Sequence, residues 1–205
     1  SRILMNSLYK FLIKPVNKRY NNEKKVGDKT LVINTKIENH RFVSREAVVV
    51  STPLAFKSKI KPGDIVIVHF NVFRRFYDIR DQEKDSSSYF KDNLYFCDPY
   101  QIYLYKHDDK WMTHLDYCFV KPIIDNNVLN QNKEKPLTGI LKYSNNILKD
   151  MGVEEEDLVG FTPVSEFEFI VDNERFYCMK SNDIVIKHEY EGNEKEYNPS
   201  WAQGS

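Results

Sequence analysis

The sequence predicts an all-β protein built as two diverged copies of one small β-barrel-like unit in tandem. Three observations predict it. Short β-branched and aromatic runs recur along the chain, separated by turn residues. Aromatic residues make up 14% of the 205 residues, with 13 Tyr and 13 Phe. Three segments of the first half reappear, in the same order, in the second.

Residues 8–13 (LYKFLI) form an apolar segment closed by Lys14-Pro15, and proline ends strands well. Residues 47–50 (AVVV) are a β-branched run. Residues 65–70 (IVIVHF) are another, and they follow the turn sequence Lys61-Pro62-Gly63-Asp64. Residues 94–97 and 102–105 flank a break at Asp98-Pro99. Asp108-Asp109 marks a hairpin tip, after which residues 111–120 read as one long strand. Residues 167–171 and 175–179 flank Asp172-Asn173, again a hairpin turn signal, and residues 184–186 close that half. Only residues 147–151 suggest a helical turn. The polar stretches 17–29, 81–88 and 125–135 read as surface loops, and 190–205 as a polar tail carrying Tyr197, Pro199 and Trp201.

The repeat is read segment by segment. Residues 8–16 (LYKFLIKPV) match 115–123 (LDYCFVKPI), each placing Lys-Pro after an apolar strand. Residues 47–68 match 139–161, so that Asp64-Ile65-Val66 corresponds to Asp157-Leu158-Val159. Residues 94–106 match 175–187, with Cys97 opposite Cys178. The copies differ most between their first two matched strands. Copy one spans 16–46 there, and copy two only 123–138. The expected division is a first unit at 1–110 with a long loop at 17–46, a second unit at 111–190, and the tail at 191–205.

Charge balances, with 30 basic against 30 acidic residues, so nothing pulls the whole chain toward nucleic acid or an anionic membrane. No apolar run approaches the ~20 residues a membrane helix needs. The three cysteines are an odd count without close pairs, which predicts buried free thiols in a reducing compartment. The histidines show no metal-ligand spacing, and phosphate-binding and nucleophile-elbow motifs are missing. The expectation is a binding protein and not an enzyme, without cofactor or metal.

The matched segments resemble the GroES-type co-chaperonin family. Copy one supplies Lys14-Pro15, a long loop, a return strand at 47–50, and Ile60-Lys61-Pro62-Gly63-Asp64-Ile65-Val66. Copy two supplies Lys121-Pro122, the segment 153–159 with Glu156 where the glycine would stand, the Asp172-Asn173-Glu174 turn, and Asn182-Asp183-Ile184. The resemblance implies two tandem GroES-like β-barrels and a homo-oligomeric ring that caps a chaperonin and assists folding. In the family a mobile loop docks through a short apolar triplet. The triplet here is Leu31-Val32-Ile33, flanked by polar residues; its plainer reading is a β-hairpin strand in a long insertion. A loop that orders on contact binds weakly alone, and a ring of such loops restores affinity. The implied place is the cytoplasm of a bacterium or a phage-infected host. A structural ring or collar of a bacteriophage particle uses the same fold as an alternative, and would place the chain in the virion.

Two further constellations have plain readings. Arg74-Arg75 among Phe70, Phe73, Phe76 and Tyr77 could stack on single-stranded nucleic acid, but Asp78 and Asp81 weaken phosphate binding, and a barrel rim is expected. Glu154-Glu155-Glu156-Asp157 reads as a solvated turn, and Glu166 and Glu168 as the outward residues of a half-buried strand.

Overall fold

The structure, a computed structural model, describes residues 5–16, 23–26, 29–32, 45–73, 75–77, 79–80, 82–85, 87–126, 134–163, 167–190 and 192–198. The chain is all-β, with one five-residue α-helix among the described residues. It divides into two compact units, Ser1–Lys110 and Trp111–Ser205.

The first unit holds β1 (Phe11–Pro15), β2 (Glu23–Val26), β3 (Lys29–Val32), β4 (Arg45–Ser51) and β5 (Ile65–Val68). After these come β6 (Arg75–Tyr77), β7 (Glu83–Asp85), β8 (Tyr89–Lys91), β9 (Leu94–Cys97) and β10 (Ile102–His107). Within a seven-stranded sheet its strands pair in the order β10-β5-β4-β1-β9-β8. Phe11, Ile13, Ala47, Val49, Val66, Val68, Tyr95 and Cys97 alternate along four of these strands and are all buried. They face one another across the ladders, as in Ile13↔Val49, Ile13↔Tyr95 and Ala47↔Val66.

The chain passes into the second unit along β11 (Lys110–Thr113). There follow β12 (Tyr117–Ile124), β13 (Glu134–Tyr143), helix α1 (Asn146–Asp150), β14 (Leu158–Phe161), β15 (Phe167–Val171), β16 (Glu174–Lys180) and β17 (Ile184–Lys187). The Asn145 side chain caps α1 by accepting from the Leu148 amide at 3.0 Å. The sheet order is β15-β16-β12-β13-β14-β17. Cys118, Val120, Leu141, Val159, Phe161, Tyr177 and Met179 make its core with Leu148 of α1 and Val153.

Read from the opposite end, this order is that of the first unit. β17 stands for β10, β14 for β5, β13 for β4, β12 for β1, β16 for β9 and β15 for β8. The ladders agree residue by residue. Lys14↔Val48 and Pro15↔Ala47 answer to Lys121↔Ile140 and Pro122↔Gly139. Both copies carry a bulge at the same step, Leu12/Ile13 in one and Phe119/Val120 in the other. The turn before β5 and β14 repeats as well. Asp64 accepts from the Lys61 amide at 2.9 Å, and Asp157 from the Glu154 amide at 2.8 Å. Gly63 (φ 94°) and Glu156 (φ 72°) occupy the same left-handed position. The hairpin tips at Asp92-Asn93, Asp108-Asp109 and Asp172-Asn173 pair left-handed residues, as two-residue turns require.

Several expectations are corrected. The main strands pair in two antiparallel sheets, and no closed barrel is found among the described residues. Residues 111–120 are not one strand. The chain turns between β11 and β12, where Leu115 adopts φ 56° and the Tyr117 amide donates to the His114 carbonyl. Lys121-Pro122 does not end its strand, and β12 continues to Ile124 past an irregularity at the proline. The third repeat match slips by one residue. Leu12↔Phe96 and Phe119↔Cys178 make Phe96 the counterpart of Cys178, and Cys97 that of Met179. The polar stretches at 17–29 and 81–88 contain β2 and β7.

Candidate partner-docking site

The two copies diverge where the first two core strands connect. In the first unit the chain leaves β1 and returns at Arg45, and the neck is tied by Val16 N–H donating to Glu46 C=O at 3.2 Å. Within this excursion β2 and β3 form a hairpin in the register Glu23↔Val32, Lys24↔Leu31, Lys25↔Thr30 and Val26↔Lys29. The structure thus places Leu31 and Val32 on the second strand of a hairpin. Ile33 lies outside the described residues. In the second unit the ladder is held to Ile124↔Glu134, so the equivalent connection is much shorter.

The other sequence candidates resolve into scaffold. Phe73 is a core residue, 6% exposed, meeting Tyr95 edge-on with ring centroids 4.8 Å apart. Arg75 pairs with Asp85 in the backbone ladder of β6 and β7, and Arg74 lies outside the described residues. The acidic run is a surface turn with a cation near three of its members. Lys149 is 3.9 Å from Glu155, Lys142 is 3.0 Å from Glu156, and Lys187 is 3.3 Å from Asp157. Among the described residues no group of His, Cys, Asp and Glu is arranged to hold a metal ion. All three thiols are free and buried. Burial raises the pKa of all three thiols, that of Cys118 to about 12, which keeps them protonated and unreactive.

Two polar features were not legible from spacing. Arg175, 6% exposed, lies 2.6 Å from Glu134 and 2.6 Å from Glu168. It also donates to the Tyr177 hydroxyl at 2.7 Å, and that hydroxyl donates to Glu134. Burial opposes the Arg175 charge, but the two carboxylates outweigh it and raise its pKa above the ordinary value. Burial, then the bond to Glu134, raises that of Tyr177. Glu168 therefore does not point to solvent as the alternation suggested, because its partner cation is inside. Glu166 lies outside the described residues.

The second feature is a strap. Ile124 N–H donates to Lys195 C=O at 2.8 Å, Tyr197 N–H donates to Pro122 C=O at 2.8 Å, and Ile123 bridges to Glu196. The tail expected at 191–205 is thus bound to β12 over 195–197. Asn198 accepts from the Lys121 ammonium at 3.2 Å and from the Arg175 amide at 3.1 Å. Lys121 is 1% exposed and sits over the Phe176 ring at 5.0 Å, and burial lowers its pKa despite Glu174 and Glu196. Lys14, its counterpart, is exposed.

No family model matches this chain, and no curated protein is recognisably similar to it. Among the described residues no helix is long and apolar enough to cross a membrane.

Proposed function

We propose that the chain is a co-chaperonin-like protein, two tandem GroES-like units whose copies form a ring that caps a chaperonin and assists folding. The observation that carries this reading is the excursion. Of two units with one strand order, only the first extends the connection between its first core strands, and that extension holds an aliphatic triplet between polar flanks. Leu31, Val32 and Ile33 are the docking residues in this reading, the first two lying on β3. Two or three buried aliphatic side chains bind weakly one at a time, and a ring presents many at once. The exposed Val185 and Ile186 on β17, an end strand of its sheet, suit a contact with a neighbouring copy.

The test mixes the purified chain with a purified chaperonin and measures complex formation by native mass and gel filtration. Replacing Leu31, Val32 and Ile33 with serine is expected to abolish the complex while leaving thermal unfolding unchanged. Undiminished binding by the triple variant removes the docking assignment. A chain that ignores chaperonin and is retained in purified virus particles replaces this reading with that of a structural ring.

A further inference from the structure

The repeated turn before β5 and β14 is closed by a carboxylate, and the two units supply its counter-charge differently. In the first unit Asp64 is 5% exposed. Its Oδ2 accepts from the Lys61 amide, and its Oδ1 lies 2.7 Å from Nδ1 of His107 at the end of β10. The other ring nitrogen, Nε2, lies 3.2 Å from a carboxylate oxygen of Asp108. A neutral imidazole has one N–H and one lone pair. Between two carboxylates it satisfies one and turns its lone pair on the other, whereas the imidazolium donates to both. In the second unit Asp157 is answered by Lys187 at 3.3 Å, whose ammonium also donates to the Gly152 carbonyl at 2.7 Å. An ammonium carries three N–H donors and turns no lone pair on a carboxylate.

We propose that His107 is a pH-responsive lock on the first unit's 61–64 turn, closed when the ring is protonated and slackened when it is neutral, while the Lys187 lock of the second unit stays closed. The charged groups facing the ring are Asp64 and Lys61 from the turn and Asp108 from the hairpin tip, with Tyr105 of β10 close to Asp64. The hydrogen bond to Asp64, then the charge of Asp108, raises the His107 pKa above its ordinary value, against partial burial and Lys61. A raised histidine pKa gives stability that is complete below the unfolded value of about 6.5 and is lost as pH rises through the folded one. The lock therefore opens as pH rises through a value above the ordinary one of about 6.5.

The turn is wired into the core strands, so its slackening has a local readout. Gly63 N–H donates to Val49 C=O at 2.8 Å, and Val49 N–H donates to Asp64 C=O at 2.9 Å. Glu156 to Leu141 and Leu141 to Asp157 repeat both bonds in the second unit. The experiment follows the His107 ring by NMR on the full chain, with amide hydrogen exchange at these four positions, from about pH 6 to about pH 9. The ring is expected to titrate above the ordinary histidine value. Protection at Gly63 and Val49, corrected for intrinsic exchange, is expected to fall roughly two- to fivefold as it does so, with Glu156 and Leu141 unchanged. His107→Lys should hold protection at its low-pH level throughout, and His107→Gln at its high-pH level. A ring that titrates at or below the ordinary value, or the same pH dependence in His107→Gln, overturns the proposal.

Discussion

In the first unit Tyr95 lies opposite Ile13 and Tyr89, and its ring meets those of Phe73 and Tyr89 edge-on. In the second, Tyr177 lies opposite Val120 and Glu168, and is surrounded by Arg175, Glu134 and Glu168. These are the same ladder positions in the same strand order. One copy fills the place with aromatic contacts and the other with a buried ion network. The difference teaches that bulges, turns and strand order define this unit, while its interior chemistry is replaceable as long as volume and pairing are kept.

The largest expected effect comes from breaking that network on one side only. Arg175→Ala leaves the half-buried Glu134 and Glu168 without their cation and should cost up to about 3–5 kcal/mol of second-unit stability, read by urea unfolding. Replacing Arg175, Glu134 and Glu168 together with apolar residues should restore most or all of that loss, making the second unit resemble the first. Failure of the triple variant to recover would show that the ionic filling is required there.

A smaller effect separates the copies at the bulge. A Cβ on Gly139 would stand 2.4 Å from Cγ1 of Val120 and 2.6 Å from the Lys121 carbonyl, although its counterpart in the first unit is Ala47. Gly139→Ala should destabilise by roughly 1–3 kcal/mol, whereas Ala47→Gly should cost about 1 kcal/mol, by thermal unfolding of each variant. Asn198→Ala should cost about 1–2 kcal/mol, because Lys121 loses an acceptor inside the protein. Chemical shifts should move on β12 and β16 and leave the first unit untouched.

The smallest expected effect has opposite signs in the two copies. Gly63→Ala puts a side chain at φ 94° and should destabilise by about 1 kcal/mol. Glu156→Gly relieves a left-handed side chain but gives up a surface pair with Lys142, so it should be neutral or stabilising by under about 1 kcal/mol. Equal destabilisation by both would break the equivalence of the two turns.

Much of the scaffold was legible because it is written in local chemistry. Asp172-Asn173 and Asp108-Asp109 are turn sequences at the tips of hairpins, and Lys61-Pro62-Gly63-Asp64 names its own turn. The first two repeat matches hold in the ladders, since a bulge and an acid-closed turn leave marks at fixed spacing. The third slipped because alternating apolar residues look alike after a shift of one, and only the partner strand settles the register. The Arg175 network joins residues 41 and 7 positions away, a combination that spacing does not encode. β2 was hidden because Glu23-Lys24-Lys25 is a polar run, and the burial of Lys121 because its cover comes from the tail. Leu31 and Val32 were readable as an aliphatic run, and the plainer reading of that run, a hairpin strand in a long insertion, agrees with the β2–β3 register.

The strap also sets an order of events during synthesis. Domains of a growing chain fold as units, the N-terminal one first. The first unit has all the strands of its main core once β10 has been made. A nascent chain that has reached Lys187 likewise carries every strand of the second unit's sheet, yet Lys121 still lacks the cover that residues 195–198 provide. The second unit is therefore finished only when Asn198 has left the ribosome, and ribosome-bound chains stopped on either side of that residue should differ in their resistance to protease.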